Sequence, residues 1–292
     1  MRSLKFLIFT GVLITMIYSC KNDQTKSLEH YEKARQFFKQ ENFSAASKEL
    51  DKAYILDSSN LEIQLMKAQI LNEEEKYGHA IYILKSLITK GLNSDTVNFE
   101  IGRGYYLLGN KYAHENKTSF SIKMYNYGIS YLNIAINKND KYRDAYISKY
   151  KTLHNLKKNE DAILLLNSAI KIFPDCMEFI CYKGIEKYKL GDFDGAWNDL
   201  NFVINSEIID DSILAVAYRF RGILYSERGD KKAIDDLTLS LKYDSDNPMT
   251  FDNRARIYLA FGDIDKACAD FRTAADLGLI KDYESIKKYC NK

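Results

Sequence analysis

GDFDGAWNDL (Gly191–Leu200) and GDIDKACADF (Gly262–Phe271) spell Gly-Asp-x-Asp-x-Ala twice, 71 residues apart. Paired aspartates suggest a hard-cation loop. Calcium loops place oxygen ligands at positions 1, 3 and 5, Gly at 6 and Glu at 12. Counted from Asp192, position 5 is Ala196 and Gly falls at position 4, so the spacing argues against calcium. The other reading is a chain corner built more than once. Gly ends one helix in the left-handed conformation, and Asp caps the next through its side-chain oxygen.

Working outward, small residues recur in phase. Ala34, Ala46 and Ala53 are spaced 12 and 7, and Ala255, Ala267 and Ala274 repeat that spacing. Ala68 with Ala80 and Gly184 with Ala196 repeat the 12, followed by Leu87 and Val203. Ala34, Ala68 and Gly102 lie 34 apart, as do Tyr150 and Gly184. Where two helices cross, only a small side chain lets the backbones approach closely.

This period, with small residues at unit positions 8, 20 and 27, resembles the tetratricopeptide repeat, a helix-turn-helix of 34 residues. Segment 143–176 carries Ala162, Leu166, Ala169 and Pro174 in matching places, and segment 95–142 carries Ile101, Gly102 and Tyr105. Seven units fit: 27–60, 61–94, 95–142, 143–176, 177–210, 215–247 and 248–281. The third is 14 residues too long, and the excess falls in the polar stretch 110–123, read as a long loop holding His114. Residues 211–214 are an insertion, and the sixth unit is one residue short in its turn, RGDKKA. Two periods, plus four and minus one, give the 71-residue spacing. The resemblance implies an all-α, right-handed α-solenoid of about seven units. The stretch 282–292, YESIKKYC within it, reads as a capping helix with Tyr283 and Ile286 inward.

The N-terminus differs in kind. Arg2 and Lys5 precede an apolar run over 6–18, too short for a hydrocarbon core of ~30 Å and suited to a secretory signal over 1–19. It ends IYSC and turns polar at KNDQTKS. Ile17, Ser19 and Cys20 resemble the lipobox of bacterial lipoproteins, with Tyr18 bulkier than usual. That resemblance implies cleavage before Cys20, lipid on that residue, a short tether over 20–26 and a lipid-anchored place in the cell envelope. Lys21 after the cysteine implies the outer membrane. Without residues 1–19 the chain holds 40 Lys and Arg against 40 Asp and Glu, which gives no bulk argument for nucleic acid.

No catalytic cluster stands out. His30, His79, His114 and His154 form no H-E-x-x-H and pair with no Cys at zinc spacing. GRGYYLLG (Gly102–Gly109) lacks Gly-Lys-Ser/Thr and a preceding strand, so its glycines read as helix contacts. No Gly-x-Ser-x-Gly elbow occurs, and paired acids such as Glu73–Glu75 and Asp235–Asp236 read as solvated faces. The expectation is no enzyme, no cofactor, no metal and no small-molecule substrate. Cys176 and Cys181 do not form a CxxC. Cys268, on the last second helix, and Cys290, ending the cap, are candidates for a disulfide, which export permits.

The remaining candidate site is a surface. In the family resembled, first helices line a concave groove, which by position nominates Tyr31, Arg35 and Phe38, then Leu65 and Gln69. Phe99, Arg103 and Tyr106 follow, then Ile147, Lys151 and His154. Ile185, Tyr188, Arg219, Ile223, Asp252 and Arg256 complete the row. Arg and Tyr are frequent binding anchors, and a row of cations suits acidic side chains or a C-terminal carboxylate. The resemblance implies a non-enzymatic scaffold, anchored to the membrane through lipid, that binds a protein or peptide. The alternative is a subunit of an envelope complex, contacting partners through its convex face or the long loop.

Overall fold

The computed structural model describes residues 23–207, 210–279 and 281–290, the side chains of 281–283 excepted. The apolar leader, Cys20 and the start of the tether lie outside the described residues, as does the Tyr283 side chain. Among the described residues there are fifteen α-helices and no strand. The chain divides after Thr152 into two compact units.

The first unit holds α1 (23–39), α2 (Phe43–Leu56), α3 (Leu61–Glu73), α4 (Tyr77–Thr89), α5 (Asp95–His114) and α6 (Thr118–Lys138). The division falls inside α7 (Arg143–Asn155). The second unit continues with α8 (Asn159–Ile172), α9 (Met177–Lys189), α10 (Phe193–Ile204), α11 (Asp211–Glu227), α12 (Lys232–Tyr243), α13 (Pro248–Ala260), α14 (Ile264–Asp276) and α15 (Lys281–Tyr289).

Local chemistry sets where these helices start. Asn42, Asn60, Ser94, Asp192, Asp210, Asn247 and Asp263 each accept a backbone N–H of the first turn through a side-chain oxygen, which satisfies donors that have no helical acceptor. Pro248 opens α13, where its missing N–H costs nothing. The two quoted stretches are corners of this kind. Gly191 and Gly262 have φ of +82° and +83°. Asp192 accepts from Gly195 N and Asp263 from Lys266 N. In the RGD turn Gly229 is also left-handed, and Asp230 accepts from Lys232 N.

Small residues hold the crossings. Ala34, Ala46, Ala53, Ala68, Ala80, Ala196, Ala255, Ala267 and Ala274 are fully buried. Within pairs, Gly102 faces Leu132, Gly184 faces Leu200 and Gly222 faces Leu237. A Cβ added at these glycines would meet the leucine Cγ at 2.6, 3.0 and 3.0 Å. The cores run between neighbouring helices. One gathers Ala34, Leu50, Ile63 and Ile70; another gathers Ala80, Leu84, Val97, Ile101 and Tyr105.

The stretch 110–123 is not a long loop. Its residues finish α5, 20 residues long, and begin α6, 21 residues long, with only 115–117 between them. His114 is the last residue of α5. The excess extends both arms of one hairpin because their contact continues: Gly109 lies against the Tyr125 ring, and Tyr125 Oη donates to Asn110 Oδ1 at 2.7 Å. Residues 211–214 likewise lengthen α11 at its start. At the C-terminus, Ile286, Tyr289 and Cys290 pack on Ala255, Ala267 and Phe271. Cys268 and Cys290 are disulfide-bonded, with Cα atoms 5.6 Å apart.

Candidate protein-binding site

The nominated residues fall on first helices, but their surroundings differ. In the first unit, Tyr31 and Phe38 are half-buried against the core of α1–α3, with Phe38 edge-on to Phe43. Arg35 is exposed and bonded to Glu32 on its own helix at 2.9 Å. Gln69 and Arg103 are brought together by buried Glu100. Its carboxylate accepts from Gln69 Nε2, Asn72 Nδ2 and Arg103 Nε, and Arg103 also reaches Glu73 at 2.8 Å. Burial alone would lower the Arg103 guanidinium, but Glu100 and Glu73 hold it above its ordinary value. Arg103 thus ties α3 to α5. Leu65 and Phe99 are core side chains, 7% and 8% exposed; Phe99 packs on Tyr142. Tyr106 is half-buried beside Tyr125, Ile147 is half-buried and Lys151 is exposed.

In the second unit, His154 Nδ1 meets the fully buried Glu186 carboxylate, and the Lys189 ammonium sits about the same ring. Tyr188 lies between Phe193 and Phe220, and its hydroxyl donates to Glu227 Oε1 at 3.2 Å. Burial, with Glu227 beside it, raises the Tyr188 phenol. Ile185 is buried and Ile223 half-buried. Arg256 is bonded to buried Asp252 at 2.7 Å. Arg219 is different. It is half-buried, lies 4.6 Å from the Phe220 ring centre and has no ion pair among the described residues. Burial pushes its guanidinium down, and the charge of Asp244 offsets this only in part. The Cys181 thiol is itself pushed up to about 12 by complete burial, so it remains neutral.

A feature absent from the sequence reading is a repeated cation–carboxylate pair. Lys183 meets Asp199 at 3.2 Å, Arg221 grips Asp236 at 2.7 and 2.9 Å, and Arg254 grips Asp270 at 2.7 and 2.8 Å. The separations are 16, 15 and 16 residues. The odd one falls where the turn is one residue short, so the pair occupies the same place in three successive hairpins. That spacing was available in the sequence. Among the described residues no group of three or more His, Cys, Asp or Glu is arranged to hold a metal ion.

No protein-family model matches the chain. In sequence it is similar to Stress-induced-phosphoprotein 1 of Caenorhabditis elegans, 23% identical over 210 residues, which are 71% of this chain and 59% of that protein. Its helices superpose on a tetratricopeptide repeat protein of Parabacteroides merdae, with a TM-score of 0.66 and 17% identity over 91% of this chain and 97% of that one. A thermophilic tetratricopeptide protein of Thermus thermophilus gives 0.50 at 14% identity, over 68% of this chain and 97% of that one. The Cut9–Hcn1 hetero-tetramer of the APC/C gives 0.51 at 16% identity, over 85% of this chain and 53% of the matched one. The helix pairs, their crossings and these superpositions agree: the chain has the tetratricopeptide-repeat fold.

Proposed function

We propose that this chain is an exported, non-enzymatic scaffold, anchored through lipid on Cys20 in the bacterial outer membrane, that holds a partner protein on its first helices. Arg219 carries the reading. A half-buried guanidinium with no ion pair among the described residues, acted on only by the more distant Asp244, is an incomplete interaction, and an acidic side chain or terminal carboxylate of a partner would complete it. Tyr188 and Phe220 beside it offer aromatic surface to the same partner. The other nominated arginines, Arg35, Arg103 and Arg256, already have carboxylates, so they position the surface rather than anchor the ligand. The Cys268–Cys290 bond supports export, since disulfides persist in oxidising compartments. The C. elegans relative and the Cut9–Hcn1 assembly are in keeping with a binding role, as analogy from fold. The alternative contact through a long loop loses its basis, because residues 115–117 are only a turn.

The test has two parts. Mass spectrometry of the mature N-terminal peptide should find acyl chains on Cys20; an unmodified Cys20 refutes the anchor. A photo-crosslinking residue at Tyr188 should give a discrete adduct in living cells that Arg219→Glu abolishes, whereas one at exposed Leu164 gives none. An adduct from Tyr188 that survives Arg219→Glu refutes the anchor residue, and adducts from Leu164 alone refute the face.

A further inference from the structure

The second helices of the hairpins differ in charge. α2, α8, α10, α12 and α14 each contain Asp or Glu; α4 and α6, 13 and 21 residues long, contain none. The basic side chains of these two helices, His79, Lys85, Lys123 and Lys138, are all exposed. In a chain with 40 acids against 42 bases, that is a local asymmetry. The nearest acids along the sequence are Glu75 and Glu115, in the turns before the two helices, and exposed Asp140, two residues after α6 and beside Lys141; Glu115 is already bonded to Lys117 at 2.6 Å.

The same two helices display large apolar side chains. Tyr82 on α4 is 77% exposed, and Phe120, Tyr127 and Ile134 on α6 are 56, 43 and 40% exposed. The three on α6 are seven residues apart, which places them along one side of the helix. Ser119, Asn126, Ser130 and Asn137 are exposed along the same helix, hydrogen-bonding but uncharged. The two helices meet. The Lys85 ammonium lies 5.6 Å from the Tyr131 ring centre on α6, and Lys85 Nζ donates to Tyr105 Oη at 2.8 Å. Met124 and Tyr131 of α6 pack on the same core as Ile81 and Leu84 of α4. Between their flanking turns, the two helices thus show apolar and uncharged polar side chains whose only charges are positive.

We propose that the outward surface of α4 and α6 rests on an anionic phospholipid bilayer. Charge complementarity selects this occupant. A second copy of the chain would set lysine against lysine across the contact, whereas a bilayer offers phosphate to the lysines and an interfacial zone to Tyr82, Phe120 and Tyr127. The proposal uses neither Cys20 nor Arg219. It would fix which way the first unit lies on the membrane.

The test uses the full chain carrying Cys20→Ala, so that no acyl chain is attached. Vesicles of phosphatidylcholine doped with phosphatidylglycerol are compared with pure phosphatidylcholine, and because Arg2 and Lys5 of the leader also favour the anionic lipid, the gain due to α4 and α6 is read as the difference between the parent and variants that share that leader. The doped vesicles should bind at least tenfold more tightly. Lys123→Glu/Lys138→Glu should remove that gain, at about fivefold per lysine, and Tyr82→Ser/Phe120→Ser should weaken it severalfold. Phe202→Ser, on α10, should leave it unchanged. All three variants should keep the parent's circular dichroism and melting temperature; if the apolar variant unfolds, the lysine variant alone decides. Equal binding to both vesicles, or an undiminished gain in the lysine variant, overturns the proposal. So does a dimer in sedimentation that the lysine variant alters without any lipid-dependent gain, since the surface would then be a protein contact.

Discussion

A single left-handed residue closes each hairpin. Gly191, Gly229 and Gly262 hold positive φ, and so do Glu41, Glu75, Asn116 and Lys157 in the corresponding turns. The glycines were legible because Gly-Asp advertises the corner. The other four were not, because a Glu or Lys in this conformation is tolerated at a cost of about 1 kcal/mol rather than signalled. Glu75→Gly should therefore raise stability by about 0.5–1 kcal/mol in urea denaturation, and Gly191→Val should lower it by more. An unchanged midpoint in Glu75→Gly would deny the strain. The repeated cation–carboxylate pair makes a second claim. Arg254→Met leaves Asp270, 6% exposed, without its partner and should cost about 3 kcal/mol, whereas Arg254→Met/Asp270→Leu should recover most of the loss. Equal losses would show that the pair contributes more than shielding its own charges.

At the scale of the element, α5 and α6 show how composition misleads and periodicity does not. The run 110–123 is rich in Asn, Lys, His, Glu and Ser, which reads as loop. Its small-residue row nonetheless continues: Gly109 follows Gly102 by seven residues and faces the Tyr125 ring as Gly102 faces Leu132. A Cβ at Gly109 would meet Tyr125 Cε1 at 2.5 Å, and that ring is 4% exposed. Gly109→Ala should then cost about 1–3 kcal/mol by overpacking. Gly78, in the first turn of α4, has nothing within 4 Å of an added Cβ, so Gly78→Ala should gain about 0.5–1 kcal/mol. Paired thermal melts check both, and a loss in each would contradict the crossing geometry. The candidate site was legible only as far as its helix. Position named Arg35, Arg103 and Arg256, but a partner carboxylate several residues away or on the next helix decides whether an arginine is available, and only the structure shows that. The acid-free surface of α4 and α6 was legible in the sequence as a run without Asp or Glu.

At the scale of the molecule, each hairpin buries its apolar side against the next, so the last one needs a cover. α15 supplies it, closing over Ala255, Ala267 and Phe271, and the Cys268–Cys290 bond pins it. Cys268→Ser/Cys290→Ser should lower stability by ~2–4 kcal/mol, and reducing agent should shift the parent by a similar amount and the variant not at all. The central claim is the recurring hairpin itself. Hydrogen exchange across the intact chain reads it most directly, because the first amides of a helix lack helical acceptors. Fast exchange should recur at seven places, where α2, α4, α6, α8, α10, α12 and α14 begin, with slow exchange through the helices between, including residues 110–114 at the end of α5 and 122–123 beyond the first turn of α6. A continuously fast stretch over 110–123, or protection running unbroken through the turns, would contradict the account.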